Sequence, residues 1–280
     1  MRTAPARCRA TAALLLAAAL AVAGCGQGSA GPRAPDRSSD YLAGRAADTW
    51  LPRRTPPATT PVVLLLPGGS WQSADPTGLR PLAAWLARHG VPAVTATYRA
   101  AGDGVLLPDA IADIRCAAAY AGTTAGRPGR PRRVVLLGHS SGAHLAALAA
   151  LAPGSPPATC RYPAPEVVGL VGLSGPYYVR GVADLLEPLV GASPAADPAA
   201  WAAADPLRLA ARPPTGLAVL LVHGTADPVV PPGQSRLLAD RLRAAGVDVT
   251  LRMVRGADHD SVYTAAVAGP RVLQWLAARR

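Results

Sequence analysis

The 280-residue chain has no phenylalanine and no lysine, and only five histidines and four cysteines. With lysine missing, all 28 basic residues are arginine, against 17 acidic ones, for a formal charge of +11. The accompanying wealth of Ala, Pro and Gly points to a GC-rich coding bias, which discounts that charge as a functional signal. The arginines are scattered, without a long basic block or interleaved aromatics, so nucleic acid is not an expected partner. No C-x-x-C pair and no metal-ligand constellation is present, which removes dithiol redox chemistry and a zinc site from the expectations. There is no apolar run of the ~20 residues that a membrane-spanning helix needs. Internal repeats and acidic clusters suited to a cationic substrate are also missing. Half the residues are hydrophobic, enough to bury one large core.

The N-terminus carries Arg2, Arg7 and Arg9, then an uncharged apolar run of 14 residues from Ala10 to Ala23. This is the charge and length pattern of a secretory h-region. The run ends Val22-Ala23-Gly24-Cys25 and resembles a bacterial lipoprotein signal, in which the cysteine becomes a lipidated N-terminus. The expected organisation is a signal peptide over 1–24, a flexible tether over 25–45 and a folded domain over 46–280. The membrane is then a partner through lipid on Cys25, and the location extracytoplasmic; plain secretion is the alternative. Outside the cytoplasm, Cys116 and Cys160 either bridge or remain two separate buried thiols.

Short apolar runs at 61–66, 91–98, 134–137, 167–173, 217–222 and 247–254 read as strands. Asp48–Pro52 reads as an early edge strand. Helical patterns over 77–89, 108–120, 141–150, 234–245 and 262–278 alternate with them. That alternation predicts an α/β fold with a mostly parallel, doubly wound sheet covered on both faces. Residues 174–212 are too long for a simple connection and are expected to form a cap. Its Tyr177, Tyr178 and Trp201 either line a substrate pocket or pack the cap onto the sheet, and Trp71 is a further candidate to face the cleft.

The stretch Arg133–Ala150 runs strand, Gly138-His139-Ser140-Ser141-Gly142, helix. That is the order of a G-x-S-x-G nucleophile elbow, whose glycines permit a sharp turn that leaves Ser140 at its tip. A serine needs a base, and the base a carboxylate to orient it. His259, after a strand and before the last helix, is the expected base. Asp227, after the strand ending at 222, is the expected carboxylate, because Asp258 and Asp260 are too close in sequence to His259 to aim its ring. His144 is expected to be a satisfied helix residue, His139 to pack or line, and His223 to brace its loop. The backbone N–H groups of Ser141, Gly69 and Ser70 are the candidate oxyanion donors.

With DTWLP, PGGSW, TYR, GHSSG, HGTADPVVP and GADHD in place, the chain from about Asp48 onward resembles the α/β-hydrolase superfamily. It is most similar to the esterase/lipase branch with feruloyl-esterase-like and kynurenine-formamidase-like members. The resemblance implies cofactor-free hydrolysis of a small-molecule carboxylic ester through an acyl-enzyme. The branch usually has His where Pro67 stands. A peptidase or amidase on the same triad, or a non-catalytic binding lipoprotein, stays open, as does the oligomeric state.

Overall fold

In the computed structural model, which describes residues 33–279, the parallel strands fall on the apolar runs and helices on the segments between them. The strands are β1 (Arg37–Leu42), β2 (Arg45–Trp50), β3 (Val62–Leu66), β4 (Ala93–Ala96), β5 (Val134–His139), β6 (Val167–Leu173), β7 (Ala218–Gly224) and β8 (Asp248–Val254). They form one sheet in the order β1-β2-β4-β3-β5-β6-β7-β8. The pairs β1/β2 and β2/β4 are antiparallel and the rest are parallel. The chain therefore steps from β3 to β4 on one side and crosses back to β5 on the other. That reversal opens a crevice at the carboxyl ends of β3 and β5, the usual ligand position in such sheets.

The two-residue period of the strands divides the core in two. Val62, Leu64 and Leu66 face a cluster shared with α2 (Leu107–Ala125), α3 (Ser141–Leu151) and α7 (Gly233–Ala244). Val63 and Leu65 face the other cluster, shared with α1 (Arg80–Arg88) and α8 (Ala265–Ala277). All eleven residues of α3 are buried, which is why its sequence carries so little amphipathic pattern. The two helices expected at 77–89 and 262–278 are each divided. A single 3₁₀ turn precedes α1, and the Thr264 side chain caps α8 by accepting from the Val267 N–H.

Two expectations are corrected. Residues 37–45, assigned to the tether, include all of β1 and the first residue of β2, so β2 is not an edge strand. The run RSSDYL is polar, but Tyr41 is buried and donates its hydroxyl to the Thr97 carbonyl at 2.8 Å. Asp36 accepts from the Leu51 N–H at 2.7 Å, closing the start of the ribbon. The signal peptide, Cys25 and tether residues 25–32 lie outside the described residues. Cys116 on α2 and Cys160 form a disulfide with a Cα–Cα distance of 5.7 Å.

The insertion over 174–212 folds as a 3₁₀ turn followed by α4 (Ala183–Val190), α5 (Pro198–Ala203) and α6 (Pro206–Leu209). Asp197 and Asp205 cap the last two by accepting from backbone N–H groups of their first turns. Leu186, Leu189 and Trp201 bury themselves in the α2/α3 core, so this cap is packed down onto the domain.

Candidate active site

Parallel pairing sets the site. Leu66 pairs with Gly138, His139 with Leu173, Leu173 with Val222, and Gly224 with Val254. The loops after β3, β5, β7 and β8 therefore leave one edge of the sheet side by side. Ser140 sits between β5 and α3 at φ 53°, ψ −127°, a conformation that costs a non-glycine residue of order 1–3 kcal/mol. The turn is possible because its neighbours lack side chains. A Cβ on Gly138 would collide with the Gly142 backbone, and one on Gly142 with the Leu66 and Pro67 carbonyls. Gly68 passes so close to the nucleophile that its Cβ would lie 2.8 Å from that of Ser140.

Ser140 Oγ lies 3.0 Å from His259 Nε2, and His259 Nδ1 lies 2.9 Å from Asp227 Oδ2. The carboxylate can only accept, so Nδ1 carries the proton and Nε2 is free to take one from Ser140. The other carboxylate oxygen, Oδ1, accepts from the N–H groups of Val229 and Val230, each at 2.9 Å. Burial pushes the Asp227 carboxyl up, but the bonds from Val230 N–H, His259 and Val229 N–H outweigh it and hold it below the usual carboxylate range. The base is thus oriented by a group that stays charged at neutral pH. Asp258 is held elsewhere: its Oδ1 accepts from the Ser261 N–H at 2.8 Å, and its own N–H donates to Ser261 Oγ at 2.9 Å.

The other histidines have their own partners. His144 is fully buried; its Nε2 donates to the Ala204 carbonyl at 2.8 Å and its Nδ1 accepts from the Trp71 indole at 3.1 Å. His139 donates from Nε2 to the His259 carbonyl at 3.0 Å and packs its ring against those of His259 and Tyr263. Burial pushes both His139 and His144 down to about 4, with His259 adding repulsion at His139. His223 braces the 223–230 loop through the Val230 carbonyl at 2.9 Å.

Opposite the triad runs the loop after β3. Gly69 (φ 148°), Ser70 (φ 51°) and Trp71 (φ 61°) have successive positive φ values. Gly69 is required there, because a Cβ would enter the Ser73 backbone. Two buried side chains hold the loop: Tyr98 donates its hydroxyl to the Pro67 carbonyl at 2.6 Å, and the Trp71 indole is tied to His144 on α3. Among the described residues, the N–H groups of Gly69, Ser70 and Ser141 have no protein acceptor. Ser141 begins α3, so its N–H is one of the groups that a helix start leaves unpaired.

The cleft over Ser140 has a volume of about 360 Å³. Its walls include Asp75, Leu79, Val229, Asp260 and Tyr263, along with the His139 foreseen from sequence. None of the four expected pocket residues is among them. Trp71 faces inward to His144, and Tyr177 is fully buried beneath Gly172 and Gly175. Trp201 donates its indole N–H to the Ala192 carbonyl inside the cap, while Tyr178 lies on the surface. Aromatic composition had suggested them, but burial in the core satisfies an aromatic ring as well as a ligand does. A signal for Asp75 and Asp260 did exist, since one follows the β3 loop and the other adjoins His259. A larger cavity, about 590 Å³, opens at the opposite end of the sheet, where strands β5 to β8 begin, away from Ser140. Among the described residues no three His, Cys, Asp or Glu side chains converge as a metal site. No described helix is long and apolar enough to cross a membrane.

A family model described as BD-FAE matches residues 47–242, a span that contains Ser140 and Asp227 and ends before His259. Among curated proteins, a probable isoprenylcysteine alpha-carbonyl methylesterase (ICME) of Oryza sativa subsp. japonica is 27% identical over 233 residues, covering 77% of this chain and 55% of the relative. Esterase LipC of Mycobacterium tuberculosis is 30% identical over 217 residues, covering 70% of this chain and 52% of its own. The chain thus spans about half the length of the curated relatives it matches. A solved structure, a truncated carbohydrate esterase from gut microbiota, superposes with a TM-score of 0.69 at 19% identity, over 88% of this chain and 99% of that one. That likeness shows the α/β-hydrolase fold.

Proposed function

The chain belongs to the BD-FAE family, and from that premise we propose that it is a serine hydrolase that cleaves small carboxylic esters through an acyl-enzyme. The observation that carries the proposal is the continuous contact Ser140–His259–Asp227, at 3.0 and 2.9 Å. His259 Nε2 takes the Ser140 proton as Oγ attacks the ester carbonyl carbon. The carbonyl oxygen gains the electron pair and is held by the N–H groups of Gly69, Ser70 and Ser141. The imidazolium, stabilised by Asp227, gives its proton to the departing alcohol as the C–O bond breaks. A water molecule, deprotonated by the same imidazole, then hydrolyses the acyl-serine.

The cleft is small and open, and Tyr177 and Trp201 of the cap are packed into the core away from it. This supports short acyl groups. Turnover of p-nitrophenyl esters of graded chain length tests both points: activity should be highest on the shortest acyl groups and vanish in Ser140→Ala. A fluorophosphonate that failed to label Ser140 would favour the non-catalytic binding reading instead. Equal or faster turnover of matched amides would favour a peptidase or amidase.

Anchoring through lipid on Cys25, outside the cytoplasm, is the second part of the proposal. It is supported by the arginine-led apolar run and the Ala23-Gly24-Cys25 junction. Incorporation of labelled fatty acid in a bacterial host, lost in Cys25→Ser, is the expected result. Equal labelling of the variant refutes it.

A further inference from the structure

A buried imidazole that the reaction scheme does not use stands against the catalytic carboxylate. His223, at the end of β7, is completely buried, and its Nε2 lies 3.2 Å from Asp227 Oδ2, the same oxygen that receives His259 Nδ1 at 2.9 Å. The same Nε2 lies 2.9 Å from the Val230 carbonyl. Both neighbours of Nε2 can only accept, so Nε2 bears a proton, which it donates to the Val230 carbonyl while facing the Asp227 oxygen. Nδ1 of the neutral ring must then accept, and its partner is Ser235 Oγ at 2.7 Å. Ser235 is itself fully buried, in the first turn of α7. One line of polar contacts therefore runs Ser235–His223–Asp227–His259–Ser140 to the reacting hydroxyl, hydrogen-bonded at every step except His223–Asp227, where Nε2 and Oδ2 stand 3.2 Å apart.

We propose that His223 and Ser235 are a positioning pair that fixes the Asp227 carboxylate and thereby sets the proton affinity of His259. The Val230 carbonyl and Asp227 Oδ2 fix the tautomer of His223, and the Ser235 hydroxyl, donating to Nδ1, holds the ring in that orientation. The opposite tautomer would turn a lone pair toward both Asp227 Oδ2 and the Val230 carbonyl. In that tautomer, the Nε2–H dipole lies against Oδ2 and draws charge from the carboxylate. It tempers the pull of Asp227 on the imidazolium, so His259 gives up its proton more readily than with an otherwise unshared carboxylate. The backbone N–H groups of Val229 and Val230 hold Oδ1, and His259 and His223 are the two imidazoles against Oδ2, the first hydrogen-bonded and the second 3.2 Å away. The Ser174 hydroxyl is buried near the carboxylate but makes no well-formed hydrogen bond to it.

The titratable groups facing His259 are Asp227, His139 with its ring 4.7 Å away, His223 across the carboxylate, and Asp260 and Tyr263 at the cleft wall. His139 is held neutral down to about pH 4 and burial raises Tyr263, so neither changes charge between pH 5 and 8.

This inference rests on the esterase reading, and its test separates the two. In the full-length protein, His223→Leu should move the acid limb of the kcat/KM–pH profile upward by about half a pH unit or more, since a carboxylate without the Nε2–H beside it holds the His259 proton more tightly, and Ser235→Ala, which frees the ring to turn, should move it the same way by less. kcat should fall more than KM rises. In His223→Gln the amide nitrogen replaces Nε2, and the limb should stay near the wild-type position. Proton NMR gives a readout independent of turnover. The low-field His259 Nδ1–H resonance, identified by its loss in His259→Ala, should shift in Ser235→Ala and return toward wild type in His223→Gln. If both the limb and the resonance stay put in folded His223→Leu and Ser235→Ala, while only their melting temperatures fall, the pair is merely structural and the inference is overturned. If the wild type turns over no ester, the esterase reading fails, and the resonance still decides the pairing.

Discussion

Asp227→Asn gives the sharpest test of the triad because the structure dictates how the new amide must sit. Oδ1 accepts from two backbone N–H groups, Val229 and Val230, both at 2.9 Å. The asparagine oxygen has to take that place, since an NH2 there would face two donors. Its nitrogen then occupies the Oδ2 position, 2.9 Å from His259 Nδ1 and 3.2 Å from His223 Nε2. His259 must move its proton to Nε2 to accept from the amide. Its N–H then points at Ser140 Oγ, and the base is lost without any change of shape. A wrong tautomer of this kind costs roughly 10⁴-fold in kcat, or about 5.4 kcal/mol of barrier. The assay is steady-state hydrolysis of p-nitrophenyl acetate between pH 6 and 10, with circular dichroism to verify the fold. Activity within tenfold of wild type at pH 7 would refute the assignment. So would an Asp258→Asn variant more crippled than Asp227→Asn, because Asp258 is exposed and bonded to its own loop.

Acid should destabilise the domain through two buried histidines. His139 and His144 titrate at about 4 when folded against about 6.5 when unfolded. Their contribution is complete above pH 6.5 and is lost as pH falls toward 4, at up to about 1.4 kcal/mol per pH unit for each histidine. Urea unfolding at pH 7.5, 6 and 4.5 measures it, and a flat profile would contradict the burial of both rings. Replacing Cys116 and Cys160 by alanine should lower unfolding free energy by about 2–4 kcal/mol, as expected for a bridge across 44 positions. An unchanged denaturation midpoint would show that the bridge is absent in solution. Tyr98→Phe strips the Pro67 carbonyl of its donor; it should cost about 1–3 kcal/mol in stability and reduce kcat more than it changes KM, through a looser loop. Equal effects on kcat and KM would argue against a role for that loop in the transition state.

The local signals in this chain were those whose chemistry is short-ranged. A buried strand must be apolar over several successive residues, a nucleophile elbow must have glycines at two fixed positions, and a loop such as 223–230 must carry its own bracing groups. Strand–helix alternation and the order of Ser140, Asp227 and His259 along the chain were legible for that reason. The direction in which a side chain points was not. Trp71, Tyr177 and Trp201 read the same whether they line a cleft or fill a core, and all three turned inward because β3, α3 and the cap present apolar space there. β1 escaped notice because an edge strand anchored by one buried tyrosine needs no apolar run.

What the sequence by itself determined is which segments become parallel strands and which residue types stand at their ends, since both follow from local periodicity and turn sterics. Only the tertiary structure decided that Leu66, Gly138, Leu173 and Gly224 end in register. The same packing brought two histidines against one carboxylate oxygen and lined the cleft with Asp75, Leu79, Val229, Asp260 and Tyr263 in place of the cap aromatics. Those outcomes depend on distances between residues up to 120 positions apart, set by sheet pairing and by which rings the core could absorb.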